Sequence, residues 1–231
     1  MFPIGDDNSG RRTFPIVTYA LIAVNVLFFL VELSGGDAFV KQWAFVPSRF
    51  LANPVADFPT LFTSMFMHAG WVHLGGNMLY LWIFGDNVED RFGHGVFAIL
   101  YFLCGLAATF AQLMFSGGSN VPNLGASGAI AGVLGAYIIL FPQGRVRVLQ
   151  RGGVVQMPAL LVIGLWIVLQ LFSGIGSVTS AARYRRRCLH GTYWRVRRGL
   201  RAHTGSGGPT ASRQDLNGRR ATAQILLARI R

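Results

Sequence analysis

The sequence predicts an all-α membrane protein, a polytopic helical bundle with five recognisable transmembrane helices. Three observations predict it. Of the 231 residues, 52% are hydrophobic and the mean hydropathy is +0.44, too apolar for a typical soluble domain in a chain too short for a large transporter. Apolar runs recur at roughly 20 residues, the length that crosses about 30 Å of hydrocarbon. Charge is segregated: residues 1–182 hold eight basic and eight acidic side chains, whereas the last 49 residues hold thirteen Arg against one acid, Asp215. The whole net charge of +12 therefore lies at that end.

Met1 to Arg12 is short and polar and reads as a flexible segment, with Arg11-Arg12 just ahead of the first apolar run. Phe14 to Leu33 forms the first span, interrupted mainly by Asn25. It ends without a small-x-small cleavage pattern and so reads as a retained anchor. Ser34 to Phe66 carries Pro47, Pro54 and Pro59 with scattered aromatics, and is expected to pack at the membrane interface, where Trp43 is at home. The second span runs from about Trp71 to Val88, contains His73 and Asn77, and ends at Asp86, Glu89, Asp90 and Arg91. Gly95 to Phe115 is the third span.

After a Gly/Ser/Asn/Pro loop from Ser116 to Asn123, the fourth span opens on the small-residue run from Gly125 to Gly132 and stops at Pro142. Arg145, Arg147 and Arg151 mark the next loop as cytoplasmic by the excess of basic residues on that side. Met157 to about Ile175 is the fifth span. Arg11-Arg12 and the Arg145–Arg151 loop then fall on one side of the membrane, as an even number of crossings requires. The N-terminus is thus expected inside. Spans two and four both run inward, so His73, Asn77 and Ser127 meet near the outer surface.

Each of those residues has an ordinary structural reading on its own. A helix Ser bonds back to a carbonyl one turn earlier, and a His near a membrane surface is a common interfacial residue. Together they are parts of an acyl-transfer site: an alcohol on one helix, and an imidazole and a carboxamide four residues apart on one face of another. His68 could support this site or anchor its loop, and His94 reads as interfacial. Two Cys, Cys104 and Cys188, make neither a disulfide framework nor a metal-ligand pattern.

These residues resemble the rhomboid family of intramembrane serine proteases over roughly residues 14–176: His73-x-x-x-Asn77, Glu89-Asp90-Arg91, Gly125-x-Ser127-Gly128 and the Trp43-Ala44-Phe45-Val46-Pro47 loop. The resemblance implies a rhomboid-like bundle with Ser127 as nucleophile. The side chains of His73 and Asn77, with the Ser127 N–H, would form the oxyanion hole. Gly125 and Gly128 would allow close approach of backbone and substrate, and Gly128 with Gly132 would give a GxxxG packing face. It also implies an integral protein of the bacterial plasma membrane that acts in the lipid bilayer on membrane-anchored protein substrates. No cofactor, metal or nucleic acid is expected, and nothing in the sequence sets the oligomeric state.

The departure from the family lies near the end. A rhomboid Ser is activated by a His on a sixth span, in an Ala-His-x-x-Gly-x-x-x-Gly setting, and this general-base His is not found. After Gly176 there is no further run of about 20 apolar residues. His190 and His203 lie in polar, Arg-rich sequence and are rejected as the base.

A reading-frame shift near Ser177–Arg183 accounts for this. With CGN codons for Arg, the neighbouring frame across His190–Gly199 permits Ala-His-Ile-Gly-Gly-Phe-Val-Ala-Gly. The expected organisation is 1–13 as cytoplasmic segment, 14–176 as transmembrane domain, and 177–231 as a basic, disordered or out-of-frame tail. A serine endopeptidase impaired by loss of its base is the first reading, and a non-catalytic rhomboid-like protein that binds membrane proteins is the alternative. A channel is disfavoured because ionisable residues sit at the span ends. No HExxH, paired intramembrane Asp or Ser-Lys arrangement supports other protease chemistry.

Overall fold

A computed structural model describes residues 2–116 and 118–170. The expected helical bundle is present, in the order β1 (Phe2–Asp6), α1 (Ile16–Trp43), α2 (Pro47–Ala52), α3 (Pro54–Asp57), α4 (Thr60–Thr63), α5 (Trp71–Phe92), α6 (His94–Ser116), α7 (Ser127–Leu140), β2 (Arg145–Gln150), β3 (Gly153–Pro158) and α8 (Ala159–Gln170). By length and hydropathy, α1 and α6 can each cross a membrane. Over the described residues α7 and α8 are apolar but shorter, and α5 carries its acidic residues in its last two turns. Large apolar side chains such as Val24, Leu27 and Leu30 on α1, and Ile99, Leu103 and Phe110 on α6, stand exposed. In water that arrangement would be costly, and in lipid it is the ordinary outer face of a bundle.

Helix α1 buries Thr18, Leu21, Asn25, Phe29 and Glu32, a three-and-four spacing that lines one face against the bundle. It runs beyond the expected end at Leu33 to Trp43, broken at Gly36, whose φ of 55° and ψ of −148° lie outside the helical region. The connection from Ala44 to Phe66 folds into three short helices and a 3-10 turn rather than a span. Arg49 ties it together by pairing with Asp57 at 2.6 Å and donating to the carbonyls of Ala44 and Lys41. It also joins the 116–125 loop, through Asn123 N–H to the Phe45 carbonyl at 2.7 Å and Ser48 N–H to the Ser119 carbonyl at 3.1 Å.

Helix α5 is the central rod. It packs against α1, α6 and α7, and its middle is buried on nearly every side. The tightest helix pair is α6 with α7, for a reason visible in the glycines. A Cβ at Gly128 would lie 2.4 Å from Ala108 Cβ, and one at Gly132 2.3 Å from Cys104 Sγ and 2.4 Å from Cys104 Cβ. These two positions let the backbones approach through dispersion contacts, the usual basis of helix association in lipid. Gly132→Val is therefore expected to destabilise the folded chain by about 1–3 kcal/mol through overpacking. Denaturant unfolding in detergent measures it, and Cys104→Gly should recover part of the loss only in the Gly132→Val background.

Two sequence expectations need correction. The expected flexible segment up to Arg12 instead holds a paired strand at Phe2–Asp6, and the Arg145–Arg151 segment is not a plain loop. The strands form an antiparallel sheet in the order β1-β2-β3, with Phe2 opposite Leu149 and Gln150 opposite Gly153. In β2, Val146 and Val148 point inward while Arg145 and Arg147 point outward, the alternation of a half-buried strand. Reading those arginines only as topology markers hid that period. The sheet also moves the start of the fifth helix from Met157 to Ala159. The remainder of that span beyond Gln170, the tail, His190 and His203 lie outside the described residues.

Candidate active site

His73 stands in the first turn of α5 and Asn77 one turn further along the same face, while Ser127 is the first residue of α7. Both helices begin at the same end of the bundle. At the opposite end their last turns are joined by Asp6, which accepts from Asn87 Nδ2 at 2.7 Å and from the Tyr137 hydroxyl at 2.9 Å. Gly125 is the point where the two sets of residues meet. A Cβ there would lie 2.9 Å from His73 Cε1, 3.2 Å from His73 Nε2 and 3.7 Å from Ser127 Oγ. Its φ of 129° is also one that a side chain rarely tolerates, so glycine is required twice over. The turn is fixed by the Gly125 N–H, which donates to the Ser64 carbonyl at 2.9 Å.

The tautomer of His73 follows from its other nitrogen. The Ala69 N–H donates to His73 Nδ1 at 3.4 Å, a long bond that leaves the proton on Nε2, the nitrogen facing Gly125 and Ser127. In that form His73 is a donor toward the site. The first N–H groups of α7 are donors too, because a helix start leaves them without intrahelical acceptors and the N-cap residue Ala126 offers no side chain to bond them. Ser127 itself is half-buried, so its hydroxyl is reachable.

Asn77 is the most telling residue. It is fully buried, and neither its Oδ1 nor its Nδ2 bonds any group among the described residues. A buried carboxamide left unpaired costs about 1–3 kcal/mol, so a bundle built for stability alone would place an apolar residue there.

His68, which the sequence leaves open between supporting this site and anchoring its loop, lies against His73. It is 1% exposed, its N–H donates to Glu32 at 2.9 Å, and its Nδ1 lies 3.2 Å from the Phe66 carbonyl. Its ring meets that of His73 edge-on at 5.3 Å and that of Phe29 at 6.4 Å. Burial lowers His68 to about 4, with the neighbouring His73 adding to the effect, so it is neutral near pH 7 and holds the His73 ring by packing. Glu32, which pins this loop to α1, gave one signal in sequence, an acid in an otherwise apolar span. His94 lies at the far end of the bundle beside Glu89 at 2.5 Å, away from Ser127. Gly128 and Gly132 line the α6 contact, one and two turns into α7.

Comparison with known proteins agrees on one family. The model of the rhomboid domain matches residues 56–183. The chain is 36% identical over 132 residues to rhomboid protease GluP of Bacillus subtilis, which covers 56% of this chain and 25% of that one. It is 31% identical over 135 residues to rhomboid protein 1, mitochondrial, of Saccharomyces cerevisiae, with 56% and 38% covered. To rhomboid protease GlpG of Salmonella paratyphi A it is 29% identical over 168 residues, with 72% and 56% covered. The chain thus spans a quarter to just over half the length of these relatives.

Proposed function

The chain belongs to the rhomboid family, and from that premise we propose that it carries the nucleophile and oxyanion hole of an intramembrane serine endopeptidase whose general base is lost. Ser127 Oγ attacks the scissile carbonyl of a membrane-anchored protein. The developing oxyanion is held by His73 Nε2–H, Asn77 Nδ2–H and the Ser127 N–H. His73 cannot also take the Ser127 proton, since its Nε2 already carries one, and His68 is too weak a base and packs behind it. The chemistry needs a further acceptor, which a His in the frame-restored distal sequence would supply. With the N-terminus inside the cell, the site opens to the outer face of the membrane.

The observation that carries this reading is the convergence of His73 Nε2 and Ser127 Oγ on the Cβ position of Gly125, with a buried carboxamide, unpaired among the described residues, one turn further along α5. No packing role calls for that combination, which disfavours a pure binding protein. The test uses the chain with its distal frame restored and a reporter holding one transmembrane segment. Cleavage should vanish in Ser127→Ala, and should fall about 10²–10³-fold in His73→Ala and in Asn77→Ala with reporter affinity little changed. Cleavage that survives Ser127→Ala would overturn the assignment.

A further inference from the structure

The end of the bundle remote from Ser127 is closed by the chain's own first residues. Strand β1 pairs with β2, and Asp6 at its end turns into the bundle, where it is 5% exposed. Its Oδ2 accepts from Tyr137 on α7 and from Asn87 on α5, while its Oδ1 is buried with no hydrogen-bond partner among the described residues. Asn87 bonds Asn8 as well, at 2.8 Å, so the segment is held at two successive points.

Among the described residues no cation is paired with Asp6. Arg11 is engaged by Asp86 at 2.9 Å, and the Arg147 guanidinium from β2 lies over Gly5, its Nη2 3.0 Å from the Cβ position there. Among the described residues Asp86 from α5 and Asp7 from the segment itself, both of Asp6's own sign, stand nearby, Asp90 and Arg91 of α5 and Arg145 and Arg147 of β2 line the same cavity, and α7 contributes the Tyr137 hydroxyl. An open cavity of about 1190 Å³ lined by Asp6, Asn87, Tyr137, Arg145 and Arg147 gives water access to the joint.

We propose that residues 2–13 are a strap that seats on the far ends of α5 and α7 when Asp6 is protonated and loosens when Asp6 ionises. A neutral acid loses little by being buried there, whereas a carboxylate with one bare oxygen, facing Asp86, is better in water. Burial accordingly raises the Asp6 carboxyl from 3.8 to about 6, opposed by the Tyr137 bond and reinforced by Asp86. Because the seated value is the higher one, seating is strongest below about pH 4 and is lost progressively as pH rises through 6. The strap grips the helix that begins with Ser127, so its release alters the footing of that helix from the opposite side of the membrane.

Amide hydrogen exchange of the full chain in lipid nanodiscs tests this without any catalytic readout. Rates are corrected for intrinsic exchange and referred to the core of α6. Protection of the amides of residues 2–6 should fall roughly tenfold between pH 5 and pH 7, a drop set by the two values of Asp6. In Asp6→Asn most of the fall should be gone, the remainder coming from Asp86, which holds Arg11 of the strap and whose carboxyl burial also raises. In Tyr137→Phe, which removes a donor to the ionised form, the fall should be steeper than in the parent. A pH-independent parent, or a fall as large in Asp6→Asn as in the parent, overturns the proposal. Should Asp6→Asn not fold, Tyr137→Phe decides it alone, since an unchanged fall there would rule out Asp6 as the titrating group.

Discussion

A fluorophosphonate probe is expected to label the chain as it stands about 10⁴-fold more slowly than the same chain with its distal frame restored. Ser127→Ala should abolish labelling in the restored chain. The size follows from what is kept and what is lost. The oxyanion donors proposed at His73, Asn77 and the start of α7 remain, and donors of that kind alone sustain a modest residual rate. A Ser hydroxyl without a general base is a poor nucleophile, and His73 is fixed as a donor by the Ala69 N–H on its Nδ1. Rapid Ser127-dependent labelling of the unrestored chain would show that some other group takes the proton. Reading the underlying DNA supplies the companion result: the Ala-His-x-x-Gly-x-x-x-Gly pattern should appear in the neighbouring frame across His190–Gly199.

Much of the bundle could be read in the sequence because lipid imposes a simple rule, that backbone groups bond within the segment and apolar side chains face outward. The helices at α1, α5, α6 and α7 follow from it, and so does the pairing of His73 with Asn77, since four residues bring side chains to one face. What escaped were contacts between residues far apart in sequence. Asp6 meets Tyr137 across 131 positions and Glu32 meets the His68 N–H across 36, and no local pattern marks either partner. The strand at Arg145–Gln150 escaped for another reason. Its alternation is plain, but positive charge beside a span has a stronger competing explanation as a topology signal. The tautomer of His73, on which its role turns, depends on one backbone N–H in a loop whose path the sequence does not dictate.

Truncating Glu89 should cost more stability than any other single change at the far end of the bundle, about 3–5 kcal/mol for Glu89→Ala. Helix α1 begins after Pro15, which has no side-chain acceptor to offer its first turn. Glu89, from a different helix, does that work. Its Oε1 accepts from the Val17 N–H at 2.8 Å, and its Oε2 accepts from the Thr18 N–H and hydroxyl, each at 2.7 Å. His94 bonds the first oxygen as well. Glu89 is fully buried, so its removal leaves the Thr18 N–H and hydroxyl dry and unpaired and the half-buried Val17 N–H without its acceptor, and each buried group adds its desolvation penalty.

The neighbouring Asp90 is the natural control. It too accepts from two N–H groups and one hydroxyl ahead of α1, the Arg12 N–H, the Thr13 N–H and the Thr13 hydroxyl, but at a site open to water. Water can replace those bonds, so Asp90→Ala should cost only about 1 kcal/mol. Thr18→Ala removes one donor to Glu89 and should fall between the two, with most of its effect absent once Glu89 is already Ala. Equal losses at Glu89 and Asp90 would mean that bond number, not burial, holds α1 against α5. A small loss at Glu89 would mean that packing of Gly85 against Thr18, where a Cβ would stand 3.1 Å from the hydroxyl, secures the pair without it.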